Sequence, residues 1–296
     1  MRALNGSLRI LLNCCISSQM NQDDKPNKTI RDDLAPTPGE IIPIDPVAMA
    51  RRDLRKTLPK RFYKEATAEA RDGAFALLLD GRPAKTPARN ALALPTLAAA
   101  QELAAEWARQ EEFIDPGSMP LTRIANSAID GVAREMAATA ANVAKYGASD
   151  LICYRAGETE DLARAQAASW DKVLDFARDN LGARLICAEG INFAEQPEPA
   201  RRAILEAVEK IAGDEASGPF ALAALHVMTT LTGSALLALA VAHGALTPEE
   251  ASTAAHVDED FQMKVWGVDE QAMARRERRW AEMEAAARLL ETVRRT

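Results

Sequence analysis

From Pro219 to Gly244 the chain runs for more than twenty residues without an Asp, Glu, Lys or Arg. A helical segment of that length and polarity either crosses a bilayer or is buried on every side. Thr229, Thr230, Thr232, Gly233 and Ser234 interrupt its middle, Ala supplies much of the rest, and no basic cluster flanks either end as an orientation signal would. The run therefore reads as the central helix or helix pair of a bundle, and no stable membrane insertion is expected. Such an element needs apolar partners all round it, so several further amphipathic helices must surround it.

The chain after Thr96 supplies them. Of its 296 residues 59 are Ala, the strongest helix former and one small enough to let helices approach closely. Leu103 and Trp107 share a face within Leu97–Glu112, after the start signal Pro95-Thr96. One or two helices follow over Leu121–Lys145 through Ile124, Ile129, Val132, Met136 and Val143. Leu162–Leu181 repeats the period with Trp170, Val173, Leu174 and Ala177, and Pro199–Ile211 does so with Ile204, Leu205 and Val208. Gly182 and Gly213 are placed to end these two helices. Thr247-Pro248-Glu249-Glu250 carries a cap, Pro at the first helical position and Glu three residues after the cap, a capping box. The last helix, Asp269–Val293, is rich in Arg, Glu and Ala and is expected on the surface.

Before Thr96 the texture differs. Phe62-Tyr63, Phe75–Leu79 and the Pro- and Gly-punctuated stretch to Leu92 read as a small antiparallel sheet, with Asp80-Gly81 as its hairpin turn. Residues 21–46 are rich in Pro, Asp, Asn and Thr and poor in large apolar groups, the composition of a flexible tail. The expected fold class is α+β: tail 1–48, a small β-containing domain 49–118 and a larger all-helical domain 119–296. Met1–Met20 carries Arg2 and Arg9 and a short apolar run, Ile10–Leu12, too short for a secretory signal. It reads as an organelle-targeting segment or as the product of a mis-set start.

Several chemistries lack material. The net charge is −7, and Lys and Arg are scattered among carboxylates, so nucleic-acid binding is not expected. No GxGxxG and no GxxxxGK[ST] occurs, which removes the common phosphate loops, and no GxSxG turn is present. His226, His243 and His256 form no metal-binding spacing and read as core or helix-end histidines; no cofactor or metal is expected. Cys14, Cys15, Cys153 and Cys187 make no CxxC pair, which suits a reducing compartment. Cys153 and Cys187 read as small buried hydrophobes.

The densest polar constellation is Asp258-Glu259-Asp260-Phe261-Gln262, followed by Trp266-Gly267 and Asp269-Glu270. On a helix Glu259, Gln262 and Trp266 share a face just before the glycine break. That face suits either a solvated helix end with Trp266 anchored in the core, or a partner-binding patch formed by Asp258, Glu259, Gln262, Trp266 and Glu270. A hydrolase or lyase using Asp258, Glu259 or Glu270 with His256 is the alternative of another class; it requires a concave pocket holding at least two of these groups.

Eight blocks occur in a fixed order: Lys60-Arg61-Phe62-Tyr63-Lys64, Leu79 to Pro87, Glu106-Trp107-Ala108-Arg109-Gln110, Met119 to Asn126, Asp150 to Arg155, Trp170-Asp171, Leu231-Thr232-Gly233-Ser234 and Trp266-Gly267. Jointly they resemble the assembly chaperone of mitochondria and alphaproteobacteria that serves the alpha subunit of the F-type ATP synthase catalytic sector, over about residues 55–292. The resemblance implies a non-enzymatic protein that binds the unassembled alpha subunit and shields the surface that later meets the beta subunit. It also implies that an acidic residue of the C-terminal domain matters, which maps to Glu259, flanked by Asp258 and Asp260. The Arg- and Ala-rich chain beyond Gly267 departs from mitochondrial members. Without a phosphate loop the action would be ATP-independent. The Ala- and Arg-rich composition points to a bacterial cytoplasmic protein, or to the mitochondrial matrix in a eukaryote.

Overall fold

The computed structural model describes residues 58–157, 159–190 and 192–294, which belong to one compact unit. The expected tail, the targeting segment, Cys14 and Cys15 lie outside the described residues.

The fold is α+β, with its main sheet ahead of the helices. Strands β1 (Ala66–Arg71) and β2 (Ala74–Leu79) pair antiparallel with Arg71 opposite Ala74; β3 (Arg82–Pro83) and β4 (Ala93–Leu94) share the other edge of β2. Two Asp-Gly turns close the hairpins. Asp72, Gly73, Asp80 and Gly81 all have positive φ, the conformation a two-residue turn with right-handed strand twist requires. Asp80 does more: its carboxylate accepts from the amides of Lys64 and Glu65, fixing the entry to β1. Phe62-Tyr63 is not a strand. Tyr63 packs on Trp107 and donates to its carbonyl, while Phe62 is exposed. The strand that the sequence hid is β1, whose Ala-Thr-Ala-Glu-Ala-Arg lacks an apolar stripe because it is half-exposed along its length.

Helix α1 (Leu97–Ala108) starts at Thr96, whose hydroxyl accepts from Ala99, as the sequence predicts. It ends four residues earlier than expected. The chain after it turns back to pair with the N-terminal segment, Arg61 donating to Glu112 and Ile114 to Pro59. Then follow α2 (Pro120–Asp130), α3 (Met136–Tyr146), α4 (Glu160–Asn180) and α5 (Glu198–Ala212). A two-stranded parallel pair, β5 (Tyr154–Arg155) with β6 (Ala188–Glu189), brackets α4.

The charge-free run forms α6 (Gly218–Thr232) and α7 (Ala235–Ala242), joined by Gly233 and Ser234. Helix α6 touches α2, α3, α5 and α7, and this pair is the centre of the core. No helix among the described residues is long and apolar enough to cross a membrane. Next come α8 (Pro248–Ala255), opened by the capping box between Thr247 and Glu250, then α9 (Val257–Trp266) and α10 (Glu270–Arg294). The expectation that α10 lies on the surface holds for its first half only. Met283, Ala286, Leu289, Leu290 and Val293 are buried, and the helix packs along α6.

Buried polar groups tie elements together where helix ends would otherwise be left bare. The buried Glu106 carboxylate of α1 accepts from the amides of Leu121 and Thr122 and so caps α2, which has no cap of its own. Asp150, fully buried, accepts from Leu236 at the start of α7. Its four hydrogen bonds favour the carboxylate, but burial outweighs them and pushes its pKa up to about 6. The Trp170 indole donates to Ala254 at 2.7 Å, locking α4 to α8.

Candidate functional site

The corner between α9 and α10 collects the residues singled out in the sequence, and each helix end there has a local cause. Gly267 stops α9 at φ +94, a conformation side-chain-bearing residues rarely adopt. Two residues later Asp269 accepts from Gln271 and Ala272 at 2.8 and 3.1 Å, which starts α10. Asp260 and Arg276 form a half-buried ion pair that holds the two helices together.

Glu259, Gln262 and Trp266 do share one face of α9, and all three are exposed. They line a hollow of about 280 Å³ between α9 and α10, with His256, Met263, Arg275 and Arg279. Trp266 is 84% exposed, so the expectation of an indole anchored in the core is wrong. Being the last residue of α9, it projects past the helices that could have covered it. Asp258 points the other way, accepting from Gln166 of α4 at 2.7 Å. Glu270 is exposed and lines a separate groove of about 690 Å³ between α8 and α10, with Val268, Met273, Glu277 and Trp280. Met273 and Arg276 border both hollows.

Of the carboxylates that the acid–base alternative names, only Glu259 lies in this hollow beside His256; Asp269 also lines it, but its carboxylate is taken up by the amides that start α10. His256 Nε2 lies 3.9 Å from Glu259, and its Nδ1 is 2.6 Å from the Ser252 carbonyl, an acceptor to which Nδ1 can only donate. The second carboxylate that such chemistry needs is engaged elsewhere (Asp258) or lines the other groove (Glu270). No group of three or more metal-ligating side chains occurs among the described residues.

The sequence reading missed the apolar part of this corner. Of eight large apolar side chains exposed among the described residues, four fall here: Val265, Trp266, Val268 and Met273. The available signal was Val-Trp-Gly-Val set between two charged helices, an apolar knuckle at a chain reversal where neither helix can cover it. Exposed apolar groups gathered in this way mark an interaction surface more often than a structural accident. Cys187 also departs from expectation: it is exposed, whereas Cys153 is buried.

Comparison with known proteins gives this surface a family. The chain matches the ATP12 chaperone protein family over residues 60–178. It superposes on the Atu1473 protein of Agrobacterium tumefaciens with a TM-score of 0.76 at 45% identity, covering 85% of this chain and 92% of that one. Atp12 from Paracoccus denitrificans gives 0.73 at 40% identity, covering 80% and 99%. An aspartate-to-lysine mutant of the P. denitrificans protein gives 0.73 at 39% identity, covering 80% and 98%. With sequence and fold shared over nearly the full length of these relatives, the chain belongs to the ATP12 chaperone family.

Proposed function

We propose that this protein is an ATP-independent chaperone that binds the unassembled alpha subunit of the F-type ATP synthase and promotes assembly of the catalytic sector. The observation that carries the proposal is the α9–α10 corner, where exposed Trp266, Val265 and Val268 stand beside Glu259 and Gln262. An aromatic anchor next to charged groups is the usual anatomy of a recognition patch: the apolar part supplies affinity and the charges select the partner. An orphan subunit with an uncovered apolar interface is prone to aggregation, and a client-specific surface that covers it needs no catalytic group. In this reading Glu259, Gln262 and Trp266 contact the client directly and Glu270 extends the contact across the α10 start, while Asp258 holds α9 in place through Gln166. The setting is the bacterial cytoplasm, or the mitochondrial matrix in a eukaryote, without nucleic acid, cofactor or membrane insertion.

Co-expression with a tagged alpha subunit tests the proposal. The wild type should co-purify and raise the soluble fraction of the subunit, and Glu259→Lys should weaken capture about tenfold or more while melting like the wild type. Absence of a complex, with no change in alpha-subunit solubility, would overturn the assignment.

A further inference from the structure

Two cysteines far apart in the sequence are brought side by side by the smallest sheet in the molecule. Strands β5 and β6 run parallel with Tyr154 opposite Ala188 and Arg155 opposite Glu189. Cys153, the last residue of the 3-10 turn Leu151–Cys153, and Cys187 immediately precede the first of these paired residues. The strand residues that adjoin them are about 4.8 Å apart, and disulfide-bonded Cα atoms lie roughly 4.4–6.8 Å apart. Both segments are held. The Cys153 amide donates to Asp150 and the Gly190 amide to Arg155, and the buried Gln196 side chain clamps both the amide and the carbonyl of Ile186. The Cys187 thiol is near enough to Cys153 to act on it electrostatically.

We propose that Cys153 and Cys187 form a dithiol site that is oxidised to an intramolecular disulfide by a low-molecular-weight disulfide such as oxidised glutathione. The roles follow from exposure. Cys187 is open to solvent and Cys153 is buried beneath it, so Cys187 meets the reagent and Cys153 resolves the adduct. The Cys187 thiolate attacks one reagent sulfur, forming a mixed disulfide and expelling the first small thiolate. The Cys153 sulfur, losing its proton, then attacks the sulfur of Cys187, breaking the mixed disulfide and expelling the second. The two cysteines give up two electrons and two protons, which the two released thiols carry away. Burial above all, with the charge of Asp150 and the Cys187 contact behind it, holds the Cys153 thiol well above the ordinary cysteine range. The second step is therefore the slow one and speeds up as pH rises. The finished bond ties the Asp150–Cys153 turn, which caps α7, to the strand that follows α4.

The test uses the full chain carrying Cys14→Ser and Cys15→Ser, treated with oxidised glutathione, alkylated and mapped by non-reducing peptide mass spectrometry. A peptide joining Cys153 to Cys187 is expected, together with a rise in melting temperature of about 5–10 °C that a reductant reverses. Cys153→Ser should stop at glutathione on Cys187. Cys187→Ser, a change at an exposed position, should abolish both products. A chain with Cys153 intact that stops at the Cys187 adduct, or a link that forms and lowers the melting temperature, would overturn the proposal, because the fold would then not present the two thiols aligned.

Discussion

Trp266 is 84% exposed at the end of α9, so truncating it removes little buried area. Trp266→Ala should change stability by no more than about 0.5 kcal/mol, measured by urea unfolding, whereas a buried indole would cost about 3–5 kcal/mol. Its effect belongs to binding instead: capture of the alpha subunit should fall at least tenfold in the co-expression assay. Asp150 behaves in the opposite way, as a buried group with no exposed role. Its folded pKa of about 6 lies above the ordinary carboxylate value, so between about pH 4 and pH 6 the folded state binds more protons than the unfolded one. Stability from this group is therefore gained as pH falls and lost as pH rises through 6. Relative to Asp150→Asn, the wild type should gain about 1 kcal/mol between pH 7 and pH 5. Asp80, Asp130 and Asp214, held below the usual carboxylate range by hydrogen bonds, work in the other direction at lower pH and cancel in that comparison.

At the scale of the element, several helices depend on a side chain from a distant part of the chain. Helix α2 starts at Met119-Pro120 with no cap of its own and is capped by Glu106 of α1. Glu106→Ala leaves two buried amides and the Thr122 hydroxyl without their acceptor and should cost about 3 kcal/mol or more; Glu106→Gln, which keeps one acceptor oxygen, should cost less. Thermal melts of the two variants check the order. Much of this was legible in sequence as pattern without cause. The blocks Glu106 to Gln110, Met119 to Asn126, Asp150 to Arg155 and Trp170-Asp171 carry the family resemblance, and the structure gives several of them a physical reason: they are buried caps and indole hydrogen bonds. Local signals such as the Thr247 capping box and the Asp80-Gly81 turn were readable because the partners lie within a few residues. Strand β1 was not readable, since its pairing with β2 decides it and its own side chains are mostly small or polar.

For the molecule as a whole, the sheet and the helices share one apolar cluster that runs from Tyr63 through α6 to Val293. Helix α10 closes it, with Thr96 donating to the Thr292 carbonyl and Arg294 to that of Ala242. Ending the chain after Glu282 removes Met283, Ala286, Leu289, Leu290 and Val293 from that cluster. The truncated protein should lose its cooperative melt and aggregate, as followed by circular dichroism and light scattering. The intact chain keeps the opposite half of α10 free of the core, and that free half builds both hollows of the candidate site. The same helix therefore seals the core at one end and offers a surface at the other.

The sequence by itself determined the helical class, the buried central pair, the helix starts whose caps are local and the absence of common catalytic motifs, because each of these rests on composition or on contacts within a few residues. The tertiary structure alone decided that Trp266 faces solvent while Asp258 turns to Gln166, that Glu270 lies in a different groove from Glu259, and that the segments following Cys153 and Cys187 pair as strands. A helical period assigns residues to a face. Which face is covered depends on where the neighbouring helices end, and the chain fixes that only when the whole core has closed.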